Sequence, residues 1–448
     1  MSEHQADKKA AQCSICKNFH DVQIPKHIVE ALYKGNLVIF AGAGVSTENK
    51  TVLSYTLYAD IKNELGISPS TRISFPKLMS RFCAQPDGRA KLLQKIQERF
   101  DYIRSFPEIY RSATKFHSEL STLHLVQNIV TTNWDDYFEK ECGATPFVTP
   151  EDFVLWNAPR RKVFKIHGSI NNYGSIVATD EDYRKCFKNL RDGILGSALK
   201  QMLSTKTIIY VGYSFNDEDF NRIHQLLKRE MGALLPHGYV VTPDCDSGPL
   251  SGTPDLTPIY TDATYFISLL KQHAIADQQM LDDERFLGVE QLLQRVDAEH
   301  AKLYETYDIC QHPEVLYAGS YQDGIIHCCE RMLALKNTGH YSHICNVTNA
   351  IHGYESIRKD KLKAKRYSDI AYIDGYMNGL IYLLVDDKSR NEIPLYYIFG
   401  TAAQPRTFAE YKKLCKQAEQ LHKTAYGRAK KVAPAQPGFI VHHVPTLL

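Results

Sequence analysis

No stretch of about eighteen uncharged apolar residues occurs in this chain, so the sequence offers no helix able to cross a bilayer. The residues from Met1 to Lys9 lack the apolar core of a secretory signal, which predicts a cytoplasmic chain. Cysteine is odd in number, 11, and irregular in spacing, which argues against a disulfide framework and for reduced thiols. Cys-x-x-Cys occurs once, at Cys13 and Cys16 with His20 nearby, and without a second pair these read as free thiols in a flexible arm over residues 1–25. A metal there would need His27 or distant ligands. Charge of one sign is also scarce, with a net of +2, but it is unevenly shared. Residues 358–431 hold sixteen Lys and Arg against eight Asp and Glu, densest from Arg358 to Arg366. Such a stretch is either a solvated basic face or a contact for nucleic acid or an acidic protein surface.

What is present fits a soluble protein of two domains: 448 residues, 44% hydrophobic and 23% charged. Apolar, β-branched runs at Leu37–Phe40, Asn128–Val130, Val163–Ile166, Ile208–Val211 and Tyr239–Val241 have strand length. Helical patterns fill the gaps at about 26–34, 114–123, 134–141, 181–203 and 217–231. This alternation predicts an α/β fold, a Rossmann-like doubly wound parallel sheet.

Four polar or glycine-rich motifs follow the first four of these runs. They are Gly42-Ala43-Gly44-Val45-Ser46, Thr131-Thr132-Asn133-Trp134-Asp135, His167-Gly168-Ser169 and Gly212-Tyr213-Ser214 through Asp217. In an open sheet ligands bind beyond the carboxyl ends of the strands, so the four converge on one nucleotide site. The glycines permit close approach to a pyrophosphate. The loop lacks the third glycine of the dinucleotide fingerprint, and Asp60, at a suitable distance for a ribose, lies in a helical pattern. Asn133 can orient a water or a ribose hydroxyl, or simply cap the next helix. His167 can act as a general base, or serve as a structural hydrogen-bonder.

Taken in order, these residues resemble the sirtuin superfamily over about residues 30–275. Gly42 to Ser46 look like its phosphate loop, Asn133 and Asp135 like its Asn-x-Asp motif, and His167-Gly168 like its His-Gly. Ser175-Ile176-Val177, Asp182-Tyr183 and Gly212 through Asp217 and Phe220 are closer to the bacterial branch. The deacylase branch carries a zinc ribbon with two Cys-x-x-Cys pairs after its His-Gly, whereas here Ser169 to Val211 hold only Cys186. The resemblance implies hydrolysis of NAD in antiphage defence by abortive infection, with no metal. A zinc-free deacylase and a non-catalytic NAD or ADP-ribose sensor are the alternatives. It further implies Asn133 and His167 as catalytic residues. Gly42, Ala43, Gly44 and Ser46 would lie at the phosphates, Asp135 at the nicotinamide end, and Gly212, Ser214 and Asp217 along the ribose and phosphate side. A homo-oligomer and a HerA-type ATPase are the partners it suggests.

The catalytic domain is expected over 26–285, its segment 47–122 including a lid, and a regulatory or oligomerisation domain over 286–448. Residues 285–307 pattern as a helix with Phe286, Val289, Leu292, Leu293 and Val296 on one face. Asn378-Gly379 signals a hairpin, with strands at Leu380–Val385 and Leu395–Phe399 and a helix from Phe408 to Ala425, so this smaller domain is expected to be α+β.

Overall fold

All five residues of β1, Leu37–Ala41, are buried, as a parallel strand covered on both faces requires. The computed structural model describes residues 22–46, 52–158, 160–213, 225, 227–243, 256–336, 339–433, 438 and 440–445. Within them β1 is joined by β2 (Asn128–Thr131), β3 (Thr145–Phe147), β4 (Lys162–Lys165), β5 (Thr207–Val211), β6 (Gly238–Thr242) and β7 (Leu256–Tyr260). Every pairing is parallel, in the order β3-β4-β2-β1-β5-β6-β7. The expected doubly wound sheet is present. Its additional edge strands β3 and β7 escaped the sequence reading because they are short or little buried and carry Pro146 and Pro258.

Helices α1 (Lys26–Tyr33), α2 (Leu57–Glu64), α3 (Phe75–Cys83), α4 (Gly88–Ser105), α5 (Pro107–Thr122), α6 (Tyr137–Cys142), α7 (Asp180–Asp192), α8 (Ile194–Thr205) and α9 (Ala263–Ala276) accompany the sheet. Val38, Phe40, Val130, Phe164, Ile208 and Tyr210 face α7 and α8 through Leu190, Leu199, Met202 and Leu203. Against the sheet α1 meets β1 and α9 meets β6. The single helix expected over 181–203 is two, α7 and α8, divided at Gly193. A Cβ on Gly193 would stand 2.6 Å from the Asn189 carbonyl oxygen, so glycine is what allows the chain to turn so closely. The helix expected over 217–231 begins outside the described residues.

Between β1 and β2, helices α2, α3 and α4 form their own core from Ile61, Leu78, Phe82, Leu92, Ile96 and Phe100. Ile170 and Ile176, from the loop after β4, join it. Asp60 lies in α2, as its helical pattern predicts, and pairs with Lys95 at 3.1 Å.

The chain divides into two compact units, Met1–Ala276 and Asp277–Leu448. The second unit contains α10 (Arg285–Thr306), α11 (Val315–Ala334), α12 (Ile344–Lys363), α13 (Tyr367–Leu384), α14 (Asp387–Arg390), α15 (Phe408–Cys415), α16 (Ala418–Leu421) and α17 (Lys423–Val432). Helix α10 buries Phe286, Val289, Leu292 and Val296 as its pattern predicts. The expected α+β character is corrected: among the described residues this unit is helical, apart from an isolated bridge between Met280 and His343. Asn378-Gly379 is not a hairpin but lies inside α13, and Leu395–Phe399 has no strand partner.

The reason is helix packing. Cβ atoms on Gly324 and Gly375 would stand 2.1 Å from the Tyr372 carbonyl oxygen and 1.9 Å from that of Tyr321, so α11 and α13 approach almost backbone to backbone. Gly379 faces Cys328 at 2.9 Å in the same contact. Its glycine serves a crossing and not a turn. Gly375→Ala is expected to cost about 1–3 kcal/mol by overpacking. Gly427→Ala, in α17 with nothing within 4 Å of its Cβ, should stabilise by about 0.5–1 kcal/mol. Urea unfolding followed by circular dichroism reads both, and a Gly375→Ala variant as stable as the parent would contradict the packing argument.

Candidate functional site

Parallel register sets Ala41 level with Thr131 and with Val211, and Thr131 level with Lys165. The motifs that follow β4, β2, β1 and β5 therefore leave four adjacent strands at one height. The chain runs from β1 to one side of the sheet and from β5 to the other, so the β1–β5 gap is the topological switch point at which such sheets bind ligands. Gly42 and Gly44 meet Gly212 there. A Cβ on Gly42 would lie 2.4 Å from the Gly212 carbonyl oxygen, and Gly212 itself has φ +57°. Glycine is required on both sides of this contact.

The loop amides are largely engaged. Gly42 donates to Val211 at 2.9 Å, Gly44 to Gly212 at 3.0 Å, Val45 to Gly42 at 3.3 Å and Ser46 to Ala43 at 3.1 Å. The glycines thus bring two loops together before they meet any ligand.

Asn133 is 5% exposed and held from two sides. Its Nδ2 donates to the Gly42 carbonyl at 3.1 Å and to Ser46 Oγ at 3.2 Å. These bonds fix which end of the amide is nitrogen and leave Oδ1 as a buried acceptor with no donor among the described residues. Thr131 Oγ1, which donates to the Ala41 carbonyl, accepts the Asn133 amide at 3.0 Å. Asn133 is therefore no helix cap; the residue at the start of α6 is Asp136. Ser46 passes the chain on, its hydroxyl donating to Asp135 Oδ2 at 2.9 Å, while Asp135 Oδ1 accepts from the Tyr137 amide at 3.3 Å. Ser46 and Asp135 are both buried. In this geometry both support Asn133 through these bonds. Burial raises the Asp135 carboxyl above the ordinary carboxylate range, opposed by Lys165 and the Ser46 bond.

Lys165 was missed in the sequence. Its side chain is fully enclosed, and its ammonium bonds the Asp135 carbonyl, Glu139 Oε1 at 2.8 Å and the Trp134 carbonyl at 3.5 Å. It pulls the loop after Asn133 against the end of β4. A lysine inside the run Val163-Phe164-Lys165-Ile166 was the available signal, since a lysine in a strand buried on both faces needs partners.

His167 is 4% exposed, and its ring meets Tyr183 edge-on with centroids 5.0 Å apart. Its carbonyl accepts from Val177 at 3.0 Å. Gly168 has φ +87°, and a Cβ there would stand 2.2 Å from the Ser175 carbonyl oxygen, so the loop doubles back tightly after the histidine. Asp182 caps the start of α7 through the amides of Ala178 and Thr179 and receives Arg89 at 2.8 Å, which fixes the turn preceding Tyr183. Ser214 and Asp217 lie outside the described residues, as do Phe220, Cys13, Cys16 and His20.

A cavity of about 470 Å³ lies elsewhere, lined in part by Arg358, Asp374, Tyr397 and Gln404. Its charges are already matched: Arg358 bonds Asp374 at 2.5 Å and Tyr397 donates to the same carboxylate at 2.9 Å. Volume alone is a weaker guide here than the unsatisfied acceptor of Asn133. In the basic stretch Arg358 and Lys361 pair with Asp374 and Asp369, Arg366 also with Asp369, and Lys363 with Asp360. Those pairs reduce the charge left for a polyanion.

The eight described cysteines are free, and Cys328 and Cys329 are core. No helix among the described residues is long and apolar enough to cross a membrane.

Residues 127–263 match the SIR2-like domain family. The chain is 28% identical over 213 residues to the NAD(+) hydrolase ThsA of Cytobacillus dafuensis, covering 46% of this chain and 41% of that one. Against the NAD(+) hydrolase ThsA of Enterococcus faecium the figures are 29% over 204 residues, 44% and 41%. It is 23% identical over 217 residues to the defense-associated sirtuin 2 of Bacillus subtilis, covering 45% and 20%. The matched part thus spans about two fifths of the length of the two hydrolases.

Lys165→Met should destabilise the first unit by about 3–5 kcal/mol, because it leaves Glu139 charged and without its partner. Adding Glu139→Gln should recover part of that loss. Denaturant unfolding measures both, and an unchanged midpoint in Lys165→Met would remove the lysine from this role.

Proposed function

We propose, for a chain that carries a SIR2-like domain, that it hydrolyses NAD to ADP-ribose and nicotinamide as an antiphage effector acting by abortive infection. The observation that carries this reading is Asn133 Oδ1, a buried acceptor without a donor among the described residues, oriented by two bonds at the switch point of the sheet. Names of relatives such as NAD(+) hydrolase support the same chemistry.

The bond that breaks joins the ribose anomeric carbon to the nicotinamide nitrogen. Its electron pair returns to the pyridinium ring, which leaves neutral, and positive charge develops on the ribose. A water accepting direction from Asn133 Oδ1 then bonds to the anomeric carbon. Its proton passes to His167, through the ribose hydroxyls, as general base. Ala43 and Gly44 let the backbone approach the pyrophosphate, and Gly212, with Ser214 and Asp217, completes the ribose and phosphate side. Ser46, Asp135 and Lys165 act by holding Asn133. Between Ser169 and Val211 only Cys186 is present, too few cysteines for the zinc ribbon of deacylases, which favours water over acetyl-lysine as the acceptor.

Asn133→Ala and His167→Ala are each expected to lower turnover by about a hundredfold or more in folded protein. Chromatography of NAD incubations with and without an acetylated peptide decides the reaction. Peptide-independent ADP-ribose is expected. Peptide-dependent O-acetyl-ADP-ribose would make the protein a deacylase, and unchanged NAD would leave a sensor.

A constitutive NAD hydrolase would deplete its own cell, so residues 277–448 are proposed to supply restraint through assembly, with a second copy or with a HerA-type ATPase. Light scattering and NAD turnover of the full chain and of residues 1–276 test this. A difference in particle size or in rate is expected, and identical behaviour in both would dismiss a regulatory role.

A further inference from the structure

Helices α10 and α11 and the segment 440–445 bring His300, Asp323 and His442 together, with one ligating atom from each lying within 4.8 Å of the others. Asp323 is 3% exposed and His300 9%. Asp323 Oδ1 lies 3.2 Å from His442 Nδ1 and 3.9 Å from His300 Nε2.

The hydrogen bonds around His300 decide what this cluster wants. Gln322 Nε2 donates to the Leu395 carbonyl at 3.0 Å, so its Oε1 is the end turned to His300. That oxygen is 3.2 Å from His300 Nδ1, which must therefore carry the ring proton. Nε2 is left with a lone pair, buried and without a donor, directed toward a carboxylate oxygen too distant for a hydrogen bond. Two acceptors facing each other call for a cation between them. A histidine that donates one ring nitrogen to a carbonyl and presents the other to a carboxylate-bearing site has the arrangement of a metal ligand with its outer partner. Zn–N and Zn–O bonds of about 2.0–2.2 Å place neighbouring donors of a tetrahedron roughly 3.3–3.6 Å apart, so small shifts would close the site. The remaining oxygen, Asp323 Oδ2, accepts the His443 amide at 2.6 Å, and Tyr304 donates to the Val441 carbonyl at 3.1 Å. The carboxylate and the segment carrying His442 are thus held from behind, while the His442 side chain, 63% exposed, leaves the site open to an entering ion.

The other such cluster among the described residues, His312, Glu314 and Cys415, has its ligating atoms already joined: Glu314 Oε1 accepts from Cys415 at 2.7 Å and lies 3.2 Å from His312, while Glu314 Oε2 is buried without a partner among the described residues.

We propose that His300, Asp323 and His442 bind a zinc ion, with water as fourth ligand, which clips the segment 440–445 to α10 and α11. Two nitrogen donors favour zinc over magnesium or calcium. The expectation of no metal came from the missing ribbon and does not bear on this unit.

The test uses the full chain without an affinity tag, stripped of metal and titrated with Zn²⁺ against a chromogenic chelator. One equivalent bound more tightly than about 1 μM is expected. His442→Ala, an exposed position that should leave folding intact by circular dichroism, should weaken binding by more than the roughly 10–100-fold that loss of an outer partner costs. Cys13→Ser/Cys16→Ser and Cys415→Ser should keep the equivalent, and Co²⁺ in place of zinc should give a visible band without thiolate charge transfer. Failure of the full chain to bind zinc, unchanged affinity in His442→Ala, or a thiolate band would each overturn the site.

Discussion

The hydrogen bond from Asn133 Nδ2 to the Gly42 carbonyl ties the end of β2 to the end of β1, and the candidate site depends on it. It forms only because Ala41 and Thr131 are in register and because Gly42 can lie against Gly212 without a side chain. With the nitrogen committed, the amide oxygen is left as a buried acceptor with no donor among the described residues. An acceptor so placed can orient a water without reorganising, and fixed polar groups in a water-poor site contribute most to stabilising developing charge.

Behind Asn133 the same logic is repeated with charge. Ser46 donates to Asp135 and accepts from Asn133, so its single hydroxyl proton sets the direction of the whole chain. Lys165 lies within reach of the backbone on the far side and is balanced by Glu139. Burying such a pair is not in itself a source of stability, because desolvation offsets most of the attraction. What the pair supplies is one conformation for the loop that carries Asn133.

The parallel sheet was legible in the sequence because parallel strands covered on both faces leave apolar runs ending in glycine or small polar residues, and Leu37–Phe40 with Gly42 is such a case. The positions of Asn133 and His167 at strand ends followed. The partners of Ser46 and Asp135 did not, since a hydrogen bond across 89 residues has no local signature. The second unit was misread for a different reason. Asn378-Gly379 has the same local chemistry in a hairpin as in a helix whose glycine faces Cys328, and only the neighbouring helix distinguishes them. Asn378 itself donates to the Tyr321 hydroxyl at 2.9 Å, a contact that requires α11 to be already in place.

The two units use glycine in opposite ways, and the difference bears on how each tolerates change. At the strand ends Gly168 and Gly212 supply positive φ, so any side chain there strains the backbone as well as filling space. In α11 and α13 Gly324, Gly375 and Gly379 are helical, and their cost is paid in helix propensity in return for a close crossing. Around that crossing Tyr321, Tyr372 and Tyr376 fill the core, and Tyr321 and Tyr397 stack with centroids 5.4 Å apart. Rings of that size leave little slack beside a backbone contact. The helical unit is therefore held by shape at its centre, where volume matters most, whereas the sheet's carboxyl edge is held by hydrogen bonds whose direction matters most.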